Sequence, residues 1–99
     1  MGIAAHQDDI EIMAYQGILQ CFGKDNEWFC GVIATNGAGS PRDDLYASYT
    51  DEQMQKVRRV EQKKASYIGE FGALVLLDYT SSIVKDPKDR DVVEELKDL

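Results

Sequence analysis

Histidine occurs once in these 99 residues, tryptophan once, and cysteine and proline twice each. The two cysteines, Cys21 and Cys30, form no recognisable metal-binding spacing. They are expected to pack as reduced thiols in the core of a cytoplasmic protein. No apolar run approaches the roughly 18 residues that a membrane-spanning helix needs. No basic segment precedes an apolar core at the start, so a secretory leader is not expected either. Positive charge is scarce: 11 basic residues stand against 18 acidic ones, a net charge of −7. That balance argues against nucleic acid as a partner, which would need a basic footprint. It points to a neutral or small polar molecule, or to a cation. Internal repeats and low-complexity segments are absent.

What remains is ordinary for a small globular domain, with 43% hydrophobic and 29% charged residues. Residues 1–5 read as the tail of a buried strand. Residues 10–22 read as a helix, with Ile10, Met13, Ala14, Gly17, Ile18, Cys21 and Phe22 on one face and Gly23 as its stop. Trp28 to Thr35 is a continuous apolar run, expected as a buried strand. "NGAGSPRDD" after it is loop. Thr50 and Gln53 match a capping box, so a helix is expected from about Asp51 to about Ile68. Ala73 to Leu77 forms a third apolar strand, "DYTSSIVKDPKD" a loop, and Val92, Val93, Leu96 and Leu99 a last helix.

The order βαβαβα defines an α/β protein with a parallel sheet and right-handed crossovers. Unbroken apolar strands fit a sheet covered on both faces. Neither end resembles a natural boundary, so the chain is expected to be one piece, 1–99, of a longer single domain, with the sheet incomplete at both ends. In a parallel sheet the carboxyl ends of all strands lie along one edge, where ligands bind. The segments just past those ends are His6-Gln7-Asp8-Asp9, Thr35-Asn36-Gly37 and Asp78-Tyr79. Three polar loops distant in sequence should therefore meet.

An imidazole and a carboxylate three residues apart in a tight strand-to-helix turn can reach one divalent ion. His6 and Asp9 have that spacing. Zinc bound by such donors activates water. Asp8, between the two, is then the natural general base. A plainer reading stays open, in which Asp8 or Asp9 caps the helix and His6 is a hydrogen-bonded loop residue. The loop "TNGAGSPR" could hold a ligand or be a simple glycine-rich turn. It is neither a dinucleotide fingerprint nor a P-loop. On the second helix Met54, Val57, Arg58, Glu61, Ala65 and Ile68 lie on one stripe expected to face the core. Arg58 either forms an ordinary surface pair with Glu61 or points to the strand ends to meet a ligand, with Glu61 holding it.

"AAHQDDIE" before a helix resembles the AHPDDE-type motif of the LmbE-like, or PIG-L, deacetylases. "TNGAGSPR" resembles that family's second-strand loop, and "RRVEQKKASYIG" its R-x-x-E-x-x-x-A helix. The three come in the family's order and cover most of the chain. The resemblance implies a Rossmann-like fold and a zinc-dependent hydrolase that removes the acetyl group from an N-acetylglucosamine-type sugar. It implies His6 and Asp9 as zinc ligands, Asp8 as general base and Arg58 near the substrate. Arg58 and Asn36 are then the candidates for substrate hydroxyl contacts.

Two departures stand out. Gln7 replaces the usual proline, and the chain has no second histidine to act as third zinc ligand. That ligand is expected from outside this segment, so the 99 residues alone are expected to be inactive. The alternative from another class is a non-catalytic sugar- or metal-binding module. Oligomeric state is not legible, and a homo-oligomer is left open.

Overall fold

A computed structural model describes all residues, Met1–Leu99. Three strands, β1 (Gly2–Ala4), β2 (Cys30–Thr35) and β3 (Ala73–Tyr79), form one all-parallel sheet in the order β1-β2-β3. Helices α1 (Asp9–Met13), α2 (Tyr15–Cys21), α3 (Asp51–Ile68), α4 (Ser81–Lys85) and α5 (Asp91–Lys97) fill the connections and the carboxyl end. The protein is therefore α/β, with strands alternating with helices.

The expected helix over residues 10–22 is two helices that meet at Ala14. The break is a local change of dihedral angles rather than a turn. The Ala14 N–H still reaches Ile10 O at 2.8 Å, and the Ile18 N–H reaches Ala14 O at 3.1 Å. Ile10 and Ile18 are buried as the spacing required, whereas Met13 and Phe22 are exposed. A short helix, α4, also occupies the segment expected as loop after β3, with the Thr80 hydroxyl accepting from the Ile83 N–H.

The long helix starts and stops where its sequence signals place it. Thr50 Oγ1 accepts from the Gln53 N–H, and Gln53 Oε1 accepts from the Thr50 N–H. Thr50→Ala should cost about 1 kcal/mol by leaving the Gln53 N–H without its cap. Differential scanning calorimetry should show this as a midpoint lower by about 4–8 °C.

The core lies between β2 and the helices. Ile10, Ile18, Phe29, Ile33 and Ala4 form it, with Phe71, Leu74 and Leu76 packed alongside. Phe29 and Phe71 meet edge to face, ring centres 4.8 Å apart. Gly31 on β2 makes this possible, because a Cβ there would stand 2.9 Å from the Phe71 ring and 3.1 Å from Ile10.

The central strand β2 is covered on both faces, as expected, whereas the edge strands are covered only in part. With the strands in sequential order, successive right-handed crossovers place their helices on the same face. α1 and α3 indeed lie side by side, joined by the Gln62–Glu11 hydrogen bond. On the opposite face Val32 and Ala34 are buried, but Ile3 is 48% exposed, and Cys30, Val75 and Leu77 are half-buried. The molecule is accordingly flat, 42 × 36 × 17 Å.

The stripe on α3 also differs from expectation. Its buried members are Met54, Gln62 and Ser66, while Ile68 is 74% exposed. Together with the half-buried Arg58 they form one i, i+4 ladder. Three of its rungs are polar: Arg58 and Gln62 serve the loop after β1, and the Ser66 hydroxyl donates to Gln62 O within the helix.

Candidate functional site at the strand carboxyl ends

The loops after β1, β2 and β3 converge as the parallel topology requires. The Thr35 N–H reaches Ala5 O at 2.9 Å, and the Asn36 N–H reaches Tyr79 O at 2.8 Å. β3 carries one extra residue here, since Ile33 pairs with Leu76 but Thr35 with Tyr79. The bulge throws Asp78 into a left-handed conformation, φ 60°. Its carboxylate accepts from Arg59 at 2.7 Å.

His6 and Asp9 are neighbours in space. His6 Nδ1 lies 3.6 Å from Asp9 Oδ2, with side chains 48% and 41% exposed. The same Oδ2 accepts the His6 N–H at 3.2 Å. Asp8 is the N-cap residue by position but makes no capping hydrogen bond. It is left-handed, φ 70°, a region aspartate tolerates better than most residues. Its Oδ2 accepts from Arg58 Nη1 at 3.0 Å, and its Oδ1 makes no hydrogen bond within the chain. Neither aspartate is thus spent as a helix cap.

Arg58 is engaged almost wholly inside the protein. Nη1 also donates to Glu61 Oε2 at 2.9 Å, and Nη2 donates to Gln7 O at 2.9 Å. Its Nε is buried without a partner. The arginine thus reaches the strand ends, and what it holds there is the His6–Asp9 turn itself. Asn36 is buried, and its Oδ1 accepts from the Ala38 N–H at 3.0 Å. Its Nδ2 makes no hydrogen bond within the chain.

Residues without an obvious sequence signal complete the arrangement. Gln7 is buried, and its Nε2 donates to Thr35 O at 3.0 Å. Gln62 is fully buried, accepting the Asp8 N–H at 2.9 Å and donating to Glu11 Oε1 at 2.7 Å. Neither was singled out as a site residue by the sequence. Only the position of Gln62, four residues beyond Arg58, hinted that it shares that arginine's face.

Tyr79, at the third strand end, is tied to α5. Its phenol donates to Glu95 Oε2. That bond, with burial and the charges of Glu95, Asp91 and Asp89, pushes its pKa from 10.0 up to about 12. A phenol with a raised folded-state pKa contributes stability that is complete below about pH 10 and is lost as pH rises through about 12. The stability difference between the protein and Tyr79→Phe should therefore be constant up to about pH 10 and shrink toward about pH 12. Denaturant midpoints of the two proteins, taken across that range, check it.

No group of three or more His, Cys, Asp or Glu side chains is assembled to hold a metal ion. The chain brings together a pair. Zinc bonds of about 2.0–2.2 Å at tetrahedral angles separate a nitrogen and an oxygen ligand by about 3.4 Å. The 3.6 Å between His6 Nδ1 and Asp9 Oδ2 fits two corners of such a site. The hollows of the surface lie elsewhere, the largest being lined by Val60, Lys63, Lys64, Tyr67 and Ile68.

A parallel α/β sheet with an imidazole–carboxylate pair and a further carboxylate at its ligand-binding edge belongs to the class of α/β proteins that act at strand carboxyl ends. The family model described as PIG-L: GlcNAc-PI de-N-acetylase matches residues 1–99. The chain belongs to that family, which is one of hydrolases. Searches of curated proteins and of solved structures give no match. No helix is long and apolar enough to cross a membrane. Gln7, where the family motif has proline, stiffens the turn differently, through its buried bond to Thr35 O.

Proposed function

We propose that the protein removes the acetyl group from an N-acetylglucosamine-type sugar or glycoconjugate, with His6 and Asp9 as metal ligands and Asp8 as general base. The observation that supports this most directly is the half-exposed His6–Asp9 pair, 3.6 Å apart, with Asp8 held beside it by Arg58. A zinc ion bound by the pair would supply Lewis-acid polarisation of the amide carbonyl and of the attacking water.

The chain's own residues do the rest. Arg58 grips Oδ2 of Asp8 and leaves Oδ1 as the acceptor for the water's proton. The water oxygen adds to the amide carbonyl carbon, the C–N bond breaks, and the departing amine takes its proton from Asp8 or from a histidine that this sequence does not hold. Asn36 Nδ2, unbonded within the chain, donates to a sugar hydroxyl. Arg58 acts on the substrate through Asp8, because Asp8, Gln7 O and Glu61 take its bonded N–H groups.

With a single imidazole in the sequence, this reading needs a third protein ligand besides His6 and Asp9. The chain by itself is accordingly expected to bind zinc weakly and to release no amine. Protein in which a third ligand completes the site should release primary amine from an N-acetylglucosaminide. Chelation, His6→Ala and Asp9→Ala should each abolish that release. Zinc binding with no amine release would favour the non-catalytic binding module instead, and release insensitive to His6→Ala would discard the metal assignment.

A further inference from the structure

Two side chains on α3 hold opposite ends of a single peptide group. Arg58 Nη2 donates to Gln7 O at 2.9 Å, and Gln62 Oε1 accepts the Asp8 N–H at 2.9 Å. Carbonyl and N–H of a trans peptide point in opposite directions. Two residues four apart on one helix face are spaced to bracket it. We propose that Gln62 is a positioning residue which, with Arg58, clamps the Gln7–Asp8 peptide and so aims the Asp8 carboxylate. The clamp stands on geometry alone; its effect on rate rests on the proposed role of Asp8 as the base.

Gln62 is a costly choice for its place unless it has such a task. It is 0% exposed, and a buried amide is tolerated only when its polar atoms are bonded. Both ends are. The oxygen takes the Asp8 N–H, and the nitrogen donates to Glu11 Oε1 at 2.7 Å. The flipped amide would set N–H against N–H and oxygen against carboxylate, so the chemistry of the neighbours admits one orientation. Asp8 is thereby fixed at its N–H by Gln62, at its preceding carbonyl by Arg58 and at its carboxylate by Arg58 again. These bonds hold it at φ 70°, a conformation an untethered aspartate would leave for most of the time.

The inference is tested on the 99-residue chain by NMR, with four proteins: the parent, Gln62→Met, Gln62→Glu, and Gln62→Glu combined with Glu11→Gln. The double variant exchanges the two side chains' chemistry. The new carboxylate at 62 accepts the Asp8 N–H, and the new amide at 11 donates to it. Gln62→Met should speed exchange of the Asp8 amide by about tenfold, the loss of one buried hydrogen bond, and displace the Asp8 carboxyl carbon resonance. The double variant should restore both. The Thr35 amide, bonded to Ala5 O, should exchange alike in all four and serves as the internal control.

Unchanged Asp8 exchange in Gln62→Met overturns the clamp. So does a double variant that keeps its volume and fold but fails to restore the carboxyl resonance, since packing alone would then explain the single variants. Should Gln62→Met not fold, the comparison of Gln62→Glu with the double variant decides the same point. In protein with a completed metal site, Gln62→Met should lower kcat with KM unchanged. A parent protein without any hydrolysis would end the deacetylase reading, while the exchange rates and carboxyl shifts would still decide whether the clamp exists.

Discussion

Asp8→Asn is expected to lower kcat for amide hydrolysis by about 10²–10⁴-fold, the usual worth of a positioned general base, with metal content and KM unchanged. The substitution is nearly isosteric. Asparagine tolerates the left-handed conformation as aspartate does, so the φ of 70° at this position costs no more than before. Its side-chain oxygen can still accept from Arg58 Nη1, which keeps Glu61 as its charged partner at 2.9 Å. The backbone N–H bonded to Gln62 is untouched. What is removed is the ability to take a proton from water. Steady-state kinetics on an N-acetylglucosaminide, with zinc measured on the same samples, decide the matter. Activity equal to that of the parent would end the assignment of Asp8 as the base.

Gly37→Ala should be the most damaging single methyl in the chain. Gly37 sits at φ 79°, where an L side chain costs about 1–3 kcal/mol. Its Cβ would also stand 2.7 Å from Arg58 Cγ, 2.8 Å from Arg58 Cβ and 2.9 Å from Gln7 Oε1. Arg58 cannot step aside freely, because Asp8, Gln7 O and Glu61 hold its guanidinium. Adding about 1–3 kcal/mol for overpacking, the expected loss is about 2–6 kcal/mol, a fall of at least roughly 8 °C in thermal midpoint. Calorimetry tests this directly. A midpoint within about 3 °C of the parent would mean that the loop after β2 does not press on Arg58. The close approach explains why a glycine-rich loop follows β2: it has to lie against the arginine that holds the first loop.

Much of this was legible in the residues. The capping box at Thr50 and Gln53 is a local device, two hydrogen bonds within four residues, so helix α3 began where the sequence said. The apolar runs of β2 and β3 needed no partner to be recognised as strands. Their parallel pairing followed from the helices between them. The convergence of three loops was legible for the same reason, since a parallel sheet has one carboxyl edge.

Other features had no local signature. The kink at Ala14 leaves the periodicity of residues 10–22 undisturbed. The extra residue that separates Leu76 and Tyr79 in register appears only when β3 lies against β2. The second face of the sheet was expected to be covered because its strands are apolar. That holds for the central strand, but strand order, which no strand reveals by itself, placed α1 and α3 together and left the second face open at Ile3. The α3 stripe was misread at Ile68 and left Gln62 out for a related reason: hydropathy ranks side chains by their cost in water, not by the bonds waiting for them.

The sequence by itself determined the class of fold, the ends of α3 and the family, because these rest on spacing along the chain and on short motifs. It also placed an imidazole and two carboxylates in one turn. Only the tertiary structure decided that Arg58 grips that turn rather than standing free, that Gln7 and Gln62 are buried in its support, and that one sheet face is left thinly covered. Those outcomes depend on which groups meet across 50 or so residues of intervening chain, as Arg58 and Asp8 do. A buried polar side chain is stable only where such a partner arrives.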